Sequence, residues 1–100
     1  MIRRALRRLG LAPRSAPIEL VLYSRPGCHL CEEMKAELAR ARVRPSFLLR
    51  EVDIETDADL LERHQRSIPV LEIAGRTAFK GRLTVRDFER KYHRIVRDAP

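Results

Sequence analysis

Between a strand pattern and a helix pattern, the chain reads Tyr23-Ser24-Arg25-Pro26-Gly27-Cys28-His29-Leu30-Cys31. Cys28 and Cys31 are the only cysteines in the sequence. A Cys-x-x-Cys pair that opens a helix can act as a redox couple, because the unpaired N–H groups and the dipole at a helix N-terminus favour a thiolate on the first cysteine. The second cysteine, three residues on, is close enough to attack a mixed disulfide formed by the first. The pair therefore predicts thiol–disulfide chemistry at this loop.

Two other interpretations of the cysteine pair stay open at this point: cysteines with no redox role, and metal ligands. Zinc would need two more ligands, and His64 and His93 do not follow a finger-like spacing. We therefore expect no resident metal, although a cluster bridged between two chains through Cys28 remains an alternative. A single local pair of cysteines is also not the disulfide framework of a small secreted protein. In a reducing compartment, such a pair is typical of catalysis or metal binding.

The segments on either side of the cysteines alternate between strand and helix patterns. Residues 18–23 carry β-branched and aromatic side chains between prolines, which predicts a buried strand. From Cys28 onward, apolar residues follow helical spacing, which predicts a helix that ends near Arg44-Pro45. A second strand is predicted from Phe47 to Asp53. These three elements form a parallel βαβ unit with a right-handed crossover.

The second half of the chain predicts a short helix, a hairpin and a final helix. Thr56 is expected to cap the short helix, with Asp59 as its capping-box partner. Residues 70–73 and 76–79 form two strands joined by the two-residue loop Ala74-Gly75. Thr84 is expected to cap the last helix, with Asp87 at the capping-box position. The predicted fold class is α/β, in the order β-α-β-α-β-β-α, with a four-stranded mixed sheet flanked by helices.

This order and three local motifs resemble the thioredoxin-fold glutaredoxins, in particular the small glutaredoxin-like proteins. The likeness covers about residues 17–97 and rests on the cysteine loop, on Ser67-Ile68-Pro69-Val70 before the hairpin and on Lys80-Gly81 before the last helix. The chain departs from the family between the cysteines, where His29-Leu30 replaces the usual Pro-Tyr or Gly-Pro. Of the usual glycine pair only Gly81 remains, and the acidic residue that holds glutathione's amino group is not in place.

The resemblance implies roles for individual residues. Cys28 would be the nucleophile and Cys31 the resolving thiol. Pro69 would be a cis-proline that faces the cysteines, and the backbone of Ile68 would pair with a peptide or glutathione. Gly81 would belong to the same substrate site.

Arg25 is the cation best placed by sequence position to hold a glutathione carboxylate through charge-assisted hydrogen bonds. The resulting hypothesis is a thiol–disulfide oxidoreductase that reduces protein disulfides or glutathione mixed disulfides. It would need no bound cofactor, with glutathione as thiol co-substrate. The alternatives are a non-enzymatic thioredoxin-fold binding module and an iron–sulfur cluster carrier.

The basic character of the chain is concentrated at its N-terminus. Residues 1–16 hold five arginines and no acid, so the other 84 residues carry only +2 of the net charge of +7. We interpret residues 1–16 as a basic N-terminal arm and residues 17–100 as the domain. A cytoplasmic location is expected, or a mitochondrial or other organellar one if the arm is a targeting peptide.

Composition also bears on partners and assembly. The sequence has no run of about 18 apolar residues, so no transmembrane segment is predicted. Only five aromatic residues are present, and several are needed for a core, so nucleic-acid binding by base stacking is not expected. The expected partners are glutathione or disulfide-containing proteins, and the expected state is a monomer.

Overall fold

Four strands and three α-helices make up residues 17–98, the part of the chain that the computed structural model describes. In chain order they are β1 (Ile18–Ser24), α1 (His29–Arg40), β2 (Phe47–Asp53), a 3-10 turn (Ile54–Thr56), α2 (Ala58–His64), β3 (Val70–Ile73), β4 (Arg76–Lys80) and α3 (Val85–Asp98). The predicted order of elements is confirmed. The predicted N-terminal arm, residues 1–16, lies outside the described residues.

The four strands form one mixed sheet in the order β2-β1-β3-β4. β1 pairs with β2 in parallel, and Ile18 lies opposite Phe47. β1 pairs with β3 antiparallel, and Tyr23 lies opposite Val70. The hairpin of β3 and β4 extends the sheet antiparallel through the loop Ala74-Gly75, where both residues have positive φ. This arrangement confirms the predicted thioredoxin-like fold class.

The main core lies on one face of this sheet, under α1 and α3. Its members are buried apolar side chains from three strands and two helices, namely Leu20, Leu22, Met34, Leu38, Leu71, Ile73, Ala78, Phe88, Tyr92 and Ile95. Side chains alternate along a strand, so Val21 and Tyr23 of β1 face the opposite side. His64, at the end of α2, stacks on Tyr23 there, with 4.5 Å between the ring centroids. The sheet is therefore covered by helices on both faces.

Two predicted helix boundaries were wrong. α1 ends at Arg40 rather than near Arg44-Pro45, because Ala41 already has extended backbone and, with Val43, packs against the core in the connection to β2. α2 is capped by Asp57 rather than Thr56. The Asp57 side chain accepts hydrogen bonds from the Asp59 and Leu60 N–H groups.

The cap of α3 was predicted correctly. The Thr84 hydroxyl accepts a hydrogen bond from the Asp87 N–H at 3.1 Å, as a capping residue does. The helix begins at Val85 and buries Phe88, Tyr92 and Ile95 against the sheet. Its N-terminus is thereby held next to the end of β4. None of the helices between residues 17 and 98 is long and apolar enough to cross a membrane.

Candidate active site

The cysteine loop connects the end of β1 to the start of α1. Gly27 has φ +78°, in the left-handed region that glycine reaches without strain, and the Cys28 N–H donates to the Arg25 carbonyl at 3.3 Å. Cys28 is the N-cap of α1, and its Sγ accepts a hydrogen bond from the Cys31 N–H at 3.1 Å. The sulfur therefore occupies the place where a helix N-terminus stabilises negative charge.

Cys28 and Cys31 are joined by a disulfide bond, with their Cα atoms 5.2 Å apart. Their exposure differs. Cys28 is half-buried, whereas only 1% of Cys31 is accessible to solvent. A substrate disulfide can therefore reach the outer sulfur, and the inner sulfur can be reached through the outer one. This asymmetry fits the roles that the resemblance assigns to the two cysteines.

The Ile68-Pro69 peptide bond is cis, as the resemblance implied. Tyr23 pairs with Val70, so Pro69 lies at the end of β1 from which the cysteine loop departs. The Ile68 N–H donates to the His64 carbonyl at 3.1 Å. The Ile68 N–H is therefore already bonded within the protein.

Gly81 lies next to the cis-proline. Its N–H donates to the Pro69 carbonyl at 2.8 Å, and its φ is +80°. The strand register thus places the cysteine loop, Ile68-Pro69 and Gly81 at the same end of the sheet. These three stretches are far apart in sequence, and together they form the candidate site.

Arg25, the predicted cation for glutathione, is already paired. Its Nε and Nη2 atoms donate to Glu55 Oε2 at 3.1 Å and 2.6 Å. Both side chains are partly exposed, so this ion pair is in contact with solvent and can exchange. To hold a ligand carboxylate, Arg25 would have to break its ion pair with Glu55 or bind both carboxylates at once.

A second polar network beside the cysteine loop was missed by the sequence analysis. Ser24 is a buried residue, 4% exposed, and its hydroxyl donates to Glu51 Oε2 at 2.7 Å. Lys35 of α1 donates to Glu51 Oε1 at 3.3 Å and pairs with Glu32 at 2.9 Å. The Ser24 hydrogen bond, and then Lys35, hold the pKa of Glu51 below its ordinary value despite partial burial.

This network borders a shallow depression of about 290 Å³ on one side of the cysteine loop. Its walls come from the loop, the first turn of α1 and the carboxyl end of β2, and the lining residues are Ser24, Arg25, Pro26, Glu32, Glu51 and Asp53. Carboxylates dominate this lining. Glu51 and Asp53 come from β2 and Glu32 from α1, so no single stretch of sequence indicates that these acids meet beside the cysteine loop.

His64, which has no zinc-finger spacing in the sequence, has a structural role beside the candidate site. Its ring is half-buried against Tyr23, and this burial, with the nearby Arg63 charge, lowers the pKa of His64. Burial and the Glu72 carboxylate raise the pKa of Tyr23. The pair helps to hold the end of α2 beside the sheet, and the His64 carbonyl accepts from Ser67 and Ile68. His64 therefore supports the cis-proline loop.

Within residues 17–98, no three His, Cys, Asp or Glu side chains are grouped as metal ligands would be. A family model described as Glutaredoxin-like domain (DUF836) matches residues 19–95, a segment that includes both cysteines, Pro69 and Gly81. The resemblance drawn from the sequence is thereby confirmed.

Proposed function

This chain belongs to the glutaredoxin-like domain family, and we propose on that premise that it is a thiol–disulfide oxidoreductase. The observation that carries the proposal is the disulfide between a half-buried Cys28 at the N-cap of α1 and a buried Cys31. This arrangement supplies an accessible sulfur activated by a helix N-terminus and a second sulfur within reach of it. The substrates are protein disulfides or glutathione mixed disulfides.

The reaction begins with the reduced dithiol. The Cys28 thiolate attacks a substrate disulfide, forms a Cys28–substrate mixed disulfide and expels the other substrate sulfur as a thiolate. Cys31 then loses its proton to solvent and attacks Cys28, which forms the intramolecular disulfide and releases the remaining substrate thiolate. The substrate gains two electrons, which the cysteine pair loses. Two glutathione molecules, or one dithiol donor, return the pair to the reduced form.

Further features of the proposal come from the sequence. The chain would need no bound cofactor, because the cysteine pair itself carries the electrons. It would act as a monomer in a reducing compartment such as the cytoplasm, where a single local cysteine pair stays available for exchange. Substrate backbone would pair with Ile68 beside Pro69, and Gly81 would border the same site.

The test is reduction of a glutathione mixed disulfide by wild type, Cys28→Ser and Cys31→Ser, with glutathione as donor. We expect Cys28→Ser to lose activity, because the attacking sulfur is gone. Cys31→Ser should retain it if glutathione can resolve the mixed disulfide. If glutathione supports no turnover, the same three proteins are tested on a protein disulfide with a dithiol donor. Equal rates for wild type and Cys28→Ser in both assays would overturn the proposed function.

A further inference from the structure

A groove of about 560 Å³ runs between α1 and the loop that connects β4 to α3. Leu30, Met34 and Leu83 give it an apolar lining, and Met34 is only 2% exposed, so it forms part of the floor. The rim is charged and carries Glu33, Glu37, Arg40, Arg82 and Asp87. An apolar floor within a polar rim is the usual composition of a binding groove.

The groove lies next to the redox site. Leu30 lies between the two cysteines in sequence and lines one end of the groove. Gly81 also lines it, and the Gly81 N–H is bonded to the carbonyl of the cis-proline Pro69. A chain whose disulfide is held at Cys28 can therefore continue directly into the groove.

The length of the groove distinguishes between substrates. Its α1 wall runs from Leu30 to Arg40, which at ~1.5 Å per helical residue is about 15 Å. An extended peptide advances ~3.3 Å per residue, so about four or five residues would span this distance. Glutathione has only one residue on either side of its cysteine. It can occupy the end beside Leu30 and leaves the part of the groove beyond it empty.

The charges around the groove disfavour an acidic ligand. Three carboxylates and two guanidinium groups line the groove, which leaves one negative charge in excess. Arg40 is paired with Glu37 on the same helix. On the other side of the cysteine loop, the smaller depression carries Glu32, Glu51 and Asp53 against Arg25. Lys35 pairs with Glu32 and Glu51, which still leaves one negative charge in excess there. Opposite charge on a partner steers its approach and selects it over acidic competitors.

Building on the proposed function, we propose that this groove binds an extended polypeptide segment next to the substrate disulfide, one with apolar side chains and a net positive charge. The apolar side chains lie against Leu30, Met34 and Leu83, and the basic ones face the carboxylates of the rim. The protein is thereby selective for polypeptide disulfides over glutathione mixed disulfides.

The groove offers a matched pair of variants on one helix. Ala36 and Ala39 are both exposed on α1, but only Ala36 lines the groove. Ala36→Arg puts a long side chain into the groove about 9 Å along the helix axis from Leu30, beyond the reach of glutathione. Ala39→Arg adds the same charge and side chain outside the groove. Arginine is a good helix former, so both variants are expected to fold.

The experiment measures how fast the reduced protein releases 2-nitro-5-thiobenzoate from two mixed disulfides. One carries glutathione, and the other a peptide of about nine residues whose central cysteine is flanked by leucines and lysines. Burial of apolar side chains in the groove should make wild type about tenfold faster on the peptide than on glutathione. Ala36→Arg should lose this advantage and keep the glutathione rate, whereas Ala39→Arg should resemble wild type. Glutamates in place of the lysines should slow the reaction.

The outcomes separate this inference from the proposed function. Equal peptide rates for wild type and Ala36→Arg, or an equal loss in Ala39→Arg, would overturn the groove as a binding site. Equal rates for the lysine and glutamate peptides would overturn the charge assignment. If Cys28→Ser released the reporter from both probes as fast as wild type, the oxidoreductase function itself would fail.

Discussion

Tyr92 offers a quantitative test of how α3 is fastened to the rest of the fold. Its side chain is fully buried, and its hydroxyl donates to the Pro45 carbonyl at 2.6 Å. Tyr92→Phe keeps the ring, which packs against Phe88 and Phe47 at centroid distances of 5.5 and 6.1 Å, and removes only the hydroxyl. Loss of this hydrogen bond should lower the free energy of unfolding at pH 7 by about 1–2 kcal/mol. For a domain of this size, Tm should fall by about 4–16 °C.

The same hydroxyl predicts a pH dependence. Burial raises the pKa of Tyr92 from 10.0 to about 12. The folded state therefore holds the phenol proton more tightly than the unfolded chain does. This contribution to stability is complete below pH 10 and is lost as the pH rises towards 12, and it amounts to about 2–3 kcal/mol. Tyr92→Phe has no phenol proton to lose. The greater unfolding free energy of wild type should therefore disappear and then reverse as the pH rises from 10 to 12.

The assay is denaturant unfolding of wild type and Tyr92→Phe from pH 7 to pH 12. Both chains carry Cys28→Ser and Cys31→Ser, so that thiol exchange at alkaline pH does not interfere. Tyr23 is present in both and its titration cancels in the difference. A difference in unfolding free energy that stays constant across this range would refute the assignment of a buried, hydrogen-bonded phenol.

Two further predictions concern the polar groups beside the cysteine loop. Glu51→Gln should make the protein less sensitive to acid, because Ser24 and Lys35 lower the pKa of Glu51 in the folded protein. The stability that this carboxylate contributes is therefore present above pH 4.5, its ordinary pKa, and is lost as the pH falls below that value. Tm measured for both proteins from pH 7 to pH 3 checks this, and parallel curves would contradict it. If Arg25 binds a glutathione carboxylate, Arg25→Ala should raise the KM for glutathione mixed disulfides several-fold, and Glu55→Gln, which releases Arg25, should lower it. Unchanged KM values in both variants would exclude Arg25 from the glutathione site.

Much of the fold was predictable because its signals are local. The strand from Phe47 to Asp53 and the hairpin around Ala74-Gly75 were placed correctly from β-branched and aromatic residues and from turn chemistry. The start of α3 was correct because Thr84 and Asp87 form a cap within four residues. Such signals depend on side chains that are neighbours along the chain.

The errors arose where local signals competed. Thr56 and Asp57 are both good capping residues, and the sequence alone does not rank them. In the structure Thr56 belongs to a 3-10 turn, and its hydroxyl donates to the Asp53 carbonyl, which leaves Asp57 to cap α2. The end of α1 was placed too late. The helix ends at Arg40, because Ala41 has extended backbone and the connection to β2 packs Ala41 and Val43 against the core.

The sequence by itself determined the redox pair, the order of elements and the three loops that carry the candidate site. A cysteine at the start of a helix has consequences that follow from local backbone geometry, whereas the roles expected of Ile68-Pro69 and Gly81 came from the resemblance to a known family. Only the tertiary structure decided which charges surround the cysteines, because Arg25 meets Glu55, and Ser24 meets Glu51, across some thirty residues of sequence. The groove likewise exists only where α1 and the loop before α3 are brought together by the sheet. Strand register and helix packing therefore set the electrostatics and the shape of the site.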